Sequence, residues 1–252
     1  MALKRKKIIY GLIIMAMIAA YLILAHYSIF YRIKYAGLKA PDRQDSYTLG
    51  ANKNMISSSL YAALGDSLTA GVGASKYEES YPFLLAQKFT FQADGEVNLK
   101  NYSYPGAKTS DLINDLLTPA IAVKPDVVTL LIGVNDVYGN VSPAVFRKNY
   151  QLILDRLSKE TKAKIYLINL PYLGSSKLLL TPYNYYYGWR TAKFNEIIRE
   201  LAAAYSLKYI DLAEPTLVES KKNSSYYAED LFHPSAVGYK LWARIIYDAI
   251  NQ

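Results

Sequence analysis

Short apolar runs alternate with longer helix-like patterns along residues 58–252, and this alternation restricts the fold more than any other feature. Strands are expected at Leu60–Leu64, Val97–Tyr102, Val127–Ile132, Ile165–Leu170 and Tyr209–Asp211. Helices are expected at Tyr81–Phe91, Thr109–Leu117, Pro143–Thr161, Trp189–Tyr205 and Ala236–Asn251. Such a rhythm makes βαβ units, whose crossovers cover both faces of a parallel sheet with helices. Val127–Ile132 is apolar at nearly every position, as a strand buried on both faces must be. The pattern predicts an α/β, three-layer αβα sandwich around a five-stranded parallel sheet. No internal repeat is visible.

Composition supports a chain that buries a core: 52% of residues are apolar and 20% are charged. There is no cysteine, which excludes disulfides, thiolate zinc sites, a cysteine nucleophile and a lipidated-cysteine anchor. The two histidines, His26 and His233, are too few for a His-rich metal centre.

The net charge of +8 is unevenly placed. Residues 1–43 hold eight Lys/Arg and one acid, or +7, which leaves 21 basic and 20 acidic residues, or +1, for residues 44–252. The body therefore lacks the positive field that binds phosphate backbones, and no nucleic-acid partner is expected.

After Lys4-Arg5-Lys6-Lys7 comes an uncharged run from Ile8 to Tyr31, almost wholly aliphatic to Ala25. About 20 apolar residues cross a bilayer core of about 30 Å. Tyr27, Phe30 and Tyr31 suit the far interface, with Arg32 and Lys34 beyond it. The competing reading is a cleaved signal peptide, with an apolar region of about 7–15 residues and a small-x-small site. Here the run is longer and Ala25-His26-Tyr27-Ser28 is a poor site, so an uncleaved anchor is favoured. The expected organisation is a basic cytoplasmic segment 1–7, a transmembrane signal anchor 8–31, a juxtamembrane stalk 32–57 and an extracytoplasmic catalytic domain 58–252.

Chemistry concentrates at the expected strand ends, where open α/β sheets bind ligands. Leu60–Leu64 runs into Gly65-Asp66-Ser67-Leu68-Thr69, placing a serine just past a strand. Asp230-Leu231-Phe232-His233-Pro234 holds the one histidine of the body, with an aspartate three residues before it. Ser67, Asp230 and His233 supply the parts of a nucleophile–base–orienter set. Gly106 follows the second strand, and Gly133-Val134-Asn135-Asp136 follows the third. Backbone N–H groups and an asparagine amide there suit an oxyanion, although Asn135 also suits a helix cap. Asp66 and Asp136 read as structural.

Taken in order, Gly65-Asp66-Ser67-Leu68, Gly106, Gly133-Val134-Asn135-Asp136 and Asp230-x-x-His233 resemble the four motif blocks of the SGNH (GDSL) hydrolase family. The resemblance covers about residues 58–252 and is to membrane-anchored GDSL-type lipases and esterases. It implies a flavodoxin-like sheet and serine ester hydrolysis, a chemistry that needs neither a metal nor an organic cofactor. It assigns Ser67 as nucleophile, His233 as general base oriented by Asp230, and Ser67 N–H, Gly106 N–H and the Asn135 amide as oxyanion hole. Pro105, before Gly106, departs from the small polar residue that many members carry. Thr69 replaces the second glycine of a G-x-S-x-G elbow, so this is not an α/β-hydrolase turn.

The segment Pro171–Gly188 is long, aromatic and without period, and Trp189 follows it. Leu178, Leu179, Leu180, Tyr183 and Trp189 are expected either to line the substrate site, to pack in the core or to face the membrane. The expected substrates are lysophospholipids or other lipid-like acyl esters. The alternatives are an O-acetyl esterase or acyltransferase on cell-envelope glycans, and a catalytically silent surface module. Nothing in the sequence fixes an oligomeric state.

Overall fold

The computed structural model describes residues 2–50, 58–93, 95–171, 173–223 and 225–252. A long helix α1 (Ala2–Tyr35) opens the chain. Next come a short strand β1 (Tyr47–Leu49), β2 (Ser58–Gly65), a one-turn α2 (Ser67–Ala70), α3 (Tyr81–Ala93) and β3 (Glu96–Ser103). Helix α4 (Thr109–Asp111) runs through a π-turn at Leu112–Leu116 into α5 (Leu117–Ala122). The second half is β4 (Val127–Leu131), α6 (Val134–Tyr138), α7 (Pro143–Glu160), β5 (Lys164–Ile168), α8 (Tyr183–Ala204), β6 (Lys208–Ile210), α9 (Ala213–Lys222) and α10 (Ala236–Ile250).

The sheet order is β1-β3-β2-β4-β5-β6. The five expected strands are present and pair in parallel. A sixth, β1, adds to the outer edge of β3 antiparallel, with Tyr47 opposite Leu99 and Leu49 opposite Val97. The region read as a stalk thus contributes to the sheet, and the folded body begins before Ser58; residues 51–57 of that region lie outside the described ones. Without β1 the order is that of flavodoxin-like sheets, with a switch point between β2 and β4. Helices α3 and α10 pack together, as do α7 and α8.

The core is rich in tyrosine, so its hydroxyls need buried partners. Tyr61 Oη pairs with Thr129 Oγ1 at 2.8 Å, and Tyr81 Oη pairs with Thr69 Oγ1 at 2.9 Å. Tyr239 donates to Val72 O at 2.7 Å, which ties α10 to the turn after β2.

Helix α1 is apolar and long enough to cross a membrane, and most of its apolar side chains are exposed. Its second half touches the body. Ala25 and Ile29 are buried, Tyr21 donates to Thr181 O at 2.7 Å, and Tyr183 donates to Leu22 O at 3.0 Å.

Candidate active site

The site forms at the carboxyl ends of β2, β3 and β4. β2 ends at Gly65, and the chain turns at once into α2. That turn admits no side chain at 65: a Cβ there would lie 2.0 Å from Thr69 Oγ1 and 2.4 Å from Leu131 O. Asp66 caps α2, its Oδ1 accepting from Leu68 N–H at 3.0 Å. Ser67 is therefore the first residue of a helical turn on the sheet edge, and it is 7% exposed.

The partner loop starts at the other end of the sequence. Asp230 Oδ1 accepts from Phe232 N–H and from His233 N–H, each at 2.9 Å. Its Oδ2 meets His233 Nδ1 at 2.5 Å, and His233 Nε2 lies 2.9 Å from Ser67 Oγ. An aspartate that folds its own loop by two backbone bonds also fixes the imidazole ring. Leu231 takes a φ of +59°, a strained value for a leucine, within this turn. Its carbonyl is held by Ser175 N–H at 2.8 Å.

The three carboxyls around the site sit in different fields. Burial pushes Asp230 up, but the bond and charge of His233 and two backbone N–H groups outweigh it, and its pKa ends below the usual range. Burial pushes Asp66 up to about 7, with Asp136 adding to the rise and the Leu68 N–H opposing it. Asp66 Oδ2 is buried with no hydrogen-bond partner. Asp136 is also raised by burial, against two bonds from Thr109: its N–H at 2.9 Å and its hydroxyl at 2.5 Å.

Gly106 sits in the loop after β3, where Ala107 N–H donates to Tyr104 O at 3.3 Å. Proline then glycine at the two central positions fits a type II turn, whose third residue needs a positive φ; Gly106 has +86°. Pro105, unusual against the motif, thus supports the turn that holds Gly106. Asn135 lies on α6, and its amide donates one N–H to Ala107 O at 3.0 Å. A primary amide has a second N–H to offer. The structure thus brings Ser67, Asp230 and His233 into one hydrogen-bonded line and ties Asn135 to the turn of Gly106.

The five apolar residues after β5 do not form one lining. Leu178 and Leu179 are 2% and 3% exposed and join the core, because a tight turn on Ser175 O folds them inward. Leu180 and Trp189 are exposed, Tyr183 packs on α1, and Tyr172 of this stretch lies outside the described residues. The aromatic contacts nearest the imidazole are others. The Phe232 ring is 5.1 Å from the His233 ring, and the Tyr138 ring is 5.1 Å from that of Phe232. Sequence reasoning missed Tyr138, which lies on α6 three residues after Asn135 and hence on the same side of that helix.

A cavity of about 400 Å³ between α8 and α9 includes none of these residues. Asn169 in its wall is committed to structure, accepting from Leu212 N–H and Ala213 N–H. Among the described residues no cluster of three or more His, Asp or Glu converges as metal ligands do.

Comparison with known proteins agrees with this layout. The GDSL-like lipase/acylhydrolase family matches residues 63–241. A spore germination lipase of Bacillus licheniformis is 29% identical over 202 residues, which is 71% of this chain and 91% of the lipase. A lipase/acylhydrolase of Enterococcus faecalis superposes with a TM-score of 0.61 at 27% identity, over 76% of this chain and 95% of that one. An acetyl xylan esterase does so with a TM-score of 0.62 at 25% identity, over 76% and 99%. A chain with this sheet order and these motifs, matched by that family over most of its body, belongs to the GDSL-like lipase/acylhydrolase family and is an ester hydrolase of that type.

Proposed function

We propose that the chain hydrolyses lipid-like acyl esters outside the cytoplasmic membrane by way of a Ser67 acyl-enzyme. The observation that carries this is the unbroken line from Ser67 Oγ through His233 to Asp230, at 2.9 Å and 2.5 Å. His233 takes the Ser67 proton as the oxygen attacks the ester carbonyl. Asp230 holds the Nδ1–H tautomer and stabilises the imidazolium. The N–H groups of Ser67 and Gly106 and the Asn135 amide receive the oxyanion. His233 returns the proton to the leaving alkoxide, and water then cleaves the acyl-enzyme with His233 again as base. These steps use the side chains and backbone N–H groups of the chain, with water as the second nucleophile.

The helix α1 supports an anchor, and the Lys4–Lys7 cluster supports an inside amino end. A second reading, an O-acetyl esterase on envelope glycans, is favoured by the likeness to an acetyl xylan esterase. Hydrolysis by purified full-length protein across esters of rising chain length separates the two. The lipid reading expects kcat/KM to rise with each added methylene, by up to a few-fold, since each buried CH₂ is worth about 0.8 kcal/mol. Preference for acetyl esters with no chain-length dependence overturns it and favours the glycan reading.

A further inference from the structure

The contact between α1 and the body fixes the height of the catalytic edge relative to any membrane that α1 crosses. Charges bracket the apolar part of α1 at Lys7 and Arg32. Fifteen residues separate Lys7 from Leu22, or about 22 Å at about 1.5 Å per residue. A bilayer core is about 30 Å thick, so Leu22 lies below its far boundary when the basic cluster sits at the near one. At this level α1 meets the body, through Tyr183 on Leu22 O and Tyr21 on Thr181 O.

The side chains around that contact have the character of an interface. Tyr185, Trp189 and Leu180 are 72%, 59% and 39% exposed on the segment whose Thr181 and Tyr183 bond α1, and Tyr27, Phe30 and Tyr31 further along α1 are also exposed. Tyrosine and tryptophan favour the headgroup level of a bilayer. A continuous row of rings leads from there to the catalytic histidine. His26 lies 5.3 Å from Tyr183, Tyr183 lies 6.3 Å from Tyr187, and Tyr187 stacks on Tyr138 at 4.3 Å. Tyr138 abuts Phe232, beside His233. The chain leaving α1 runs along the same edge: Pro41 lies 3.6 Å from where a Cβ on Gly71 would be, and Arg43 donates to Ser103 O at 2.6 Å.

We propose that the segment Leu180–Trp189 docks into the bilayer leaflet remote from Lys4–Lys7, so that the catalytic edge faces the membrane and receives esters laterally from that leaflet. The inference rests on the anchor and esterase readings above and adds the orientation that they leave open. The occupant of the exposed aromatic surface is the leaflet in which α1 is embedded, because the segment that carries it is bonded to α1 through Thr181 and Tyr183.

The two tryptophans of the chain make this testable. Trp189 is exposed on the proposed surface and Trp242 is fully buried in the core. The full-length protein is placed in nanodiscs of phospholipids brominated in the acyl chains, and its emission is compared with that in unbrominated discs and with added iodide. Docking predicts quenching by bromine, protection from iodide, and loss of the bromine effect in Trp189→Phe, which leaves Trp242 as the reporter. Quenching of Trp189 by iodide and not by bromine overturns docking. Protection from both also overturns it and places another copy of the chain on this surface. A second measurement uses Tyr185→Ser with Trp189→Ser and takes the ratio of hydrolysis of a long-chain ester in the disc to that of a soluble short-chain ester. Docking predicts a fall in this ratio of about tenfold, equivalent to about 1.4 kcal/mol of lost interfacial burial; an unchanged ratio counts against docking. If the wild type hydrolyses neither ester while bromine still quenches Trp189, docking stands and the esterase reading falls.

Discussion

Two buried aspartates flank the proposed catalytic pair, Asp66 immediately before Ser67 and Asp230 three residues before His233, and their pKa values shift in opposite directions. Each caps its own turn through backbone N–H groups, and neither is exposed. Asp230 has the imidazole as a second partner, and its pKa falls below the usual range despite burial. Asp66 has one backbone bond, an Oδ2 without a partner and Asp136 nearby, and it rises to about 7. Burial is common to both, so the partners decide. The carboxylate proposed to serve a histidine has the imidazole ring and two backbone N–H groups as partners. One that only shapes a turn is left to share its burial with a second acid.

Four substitutions test this account of the site, and two of them test the contrast between the aspartates. The largest effect is expected from Asp230→Asn, which leaves the loop able to form but offers the wrong partner to Nδ1–H. Turnover should drop by about 10⁴, the loss seen when a triad aspartate becomes an amide. A fall of less than tenfold in steady-state assays counts against Asp230 as orienter. Asn135→Ala should lower kcat by about 10²–10³, as for one lost oxyanion donor, and leave KM nearly unchanged. An equal rise in KM with intact kcat would assign Asn135 to holding the Ala107 turn instead.

Asp66→Asn should matter less for turnover, by under about tenfold, because Asp66 lies outside the proton path. Its signature is pH-dependent stability. A carboxyl raised in the folded state from 3.8 to about 7 stabilises the fold most below pH 3.8, and that contribution is lost as pH rises to about 7. Asp230, lowered in the folded state, contributes above pH 3.8 and loses its contribution as pH falls through its folded value. Melting curves at pH 5 and pH 8 should therefore show the wild type losing stability on going up, and Asp66→Asn losing less. Equal losses in both proteins would mean that Asp66 stays ionised throughout. The smallest effect is expected from Gly106→Ala. Open space surrounds a Cβ there, so only the positive φ opposes it, by about 1–2 kcal/mol. A loss of several kcal/mol in chemical denaturation would reveal a contact that the turn geometry does not account for.

The sequence carried the parallel sheet and the site motifs because both depend on local patterns. Apolar runs flanked by turn residues marked all five parallel strands, with Ser67 just past the end of one and Asp230 and His233 just before the last helix. What it hid depends on distant partners. Tyr47–Leu49 is too short to announce a strand and is made one by pairing with Leu99 and Val97. The short helices α2 and α6 span four and five residues, fewer than two turns, and leave no period to read. Helix α8 starts at Tyr183, not Trp189, because its first turns are tyrosines that pack on α1 and Tyr138. Leu178 and Leu179 were indistinguishable from Leu180 by composition, and one tight turn sends two of the three inward.

The most direct test of the account is covalent labelling of the full-length protein with a fluorophosphonate, which reacts with a serine activated by a neighbouring base. Peptide mass mapping of the wild type should find the adduct on Ser67, the labelling should collapse in His233→Ala, and Ser67→Ala should carry no adduct and hydrolyse no ester. An adduct on another serine, or ester hydrolysis persisting near the wild-type rate in Ser67→Ala, would contradict the account.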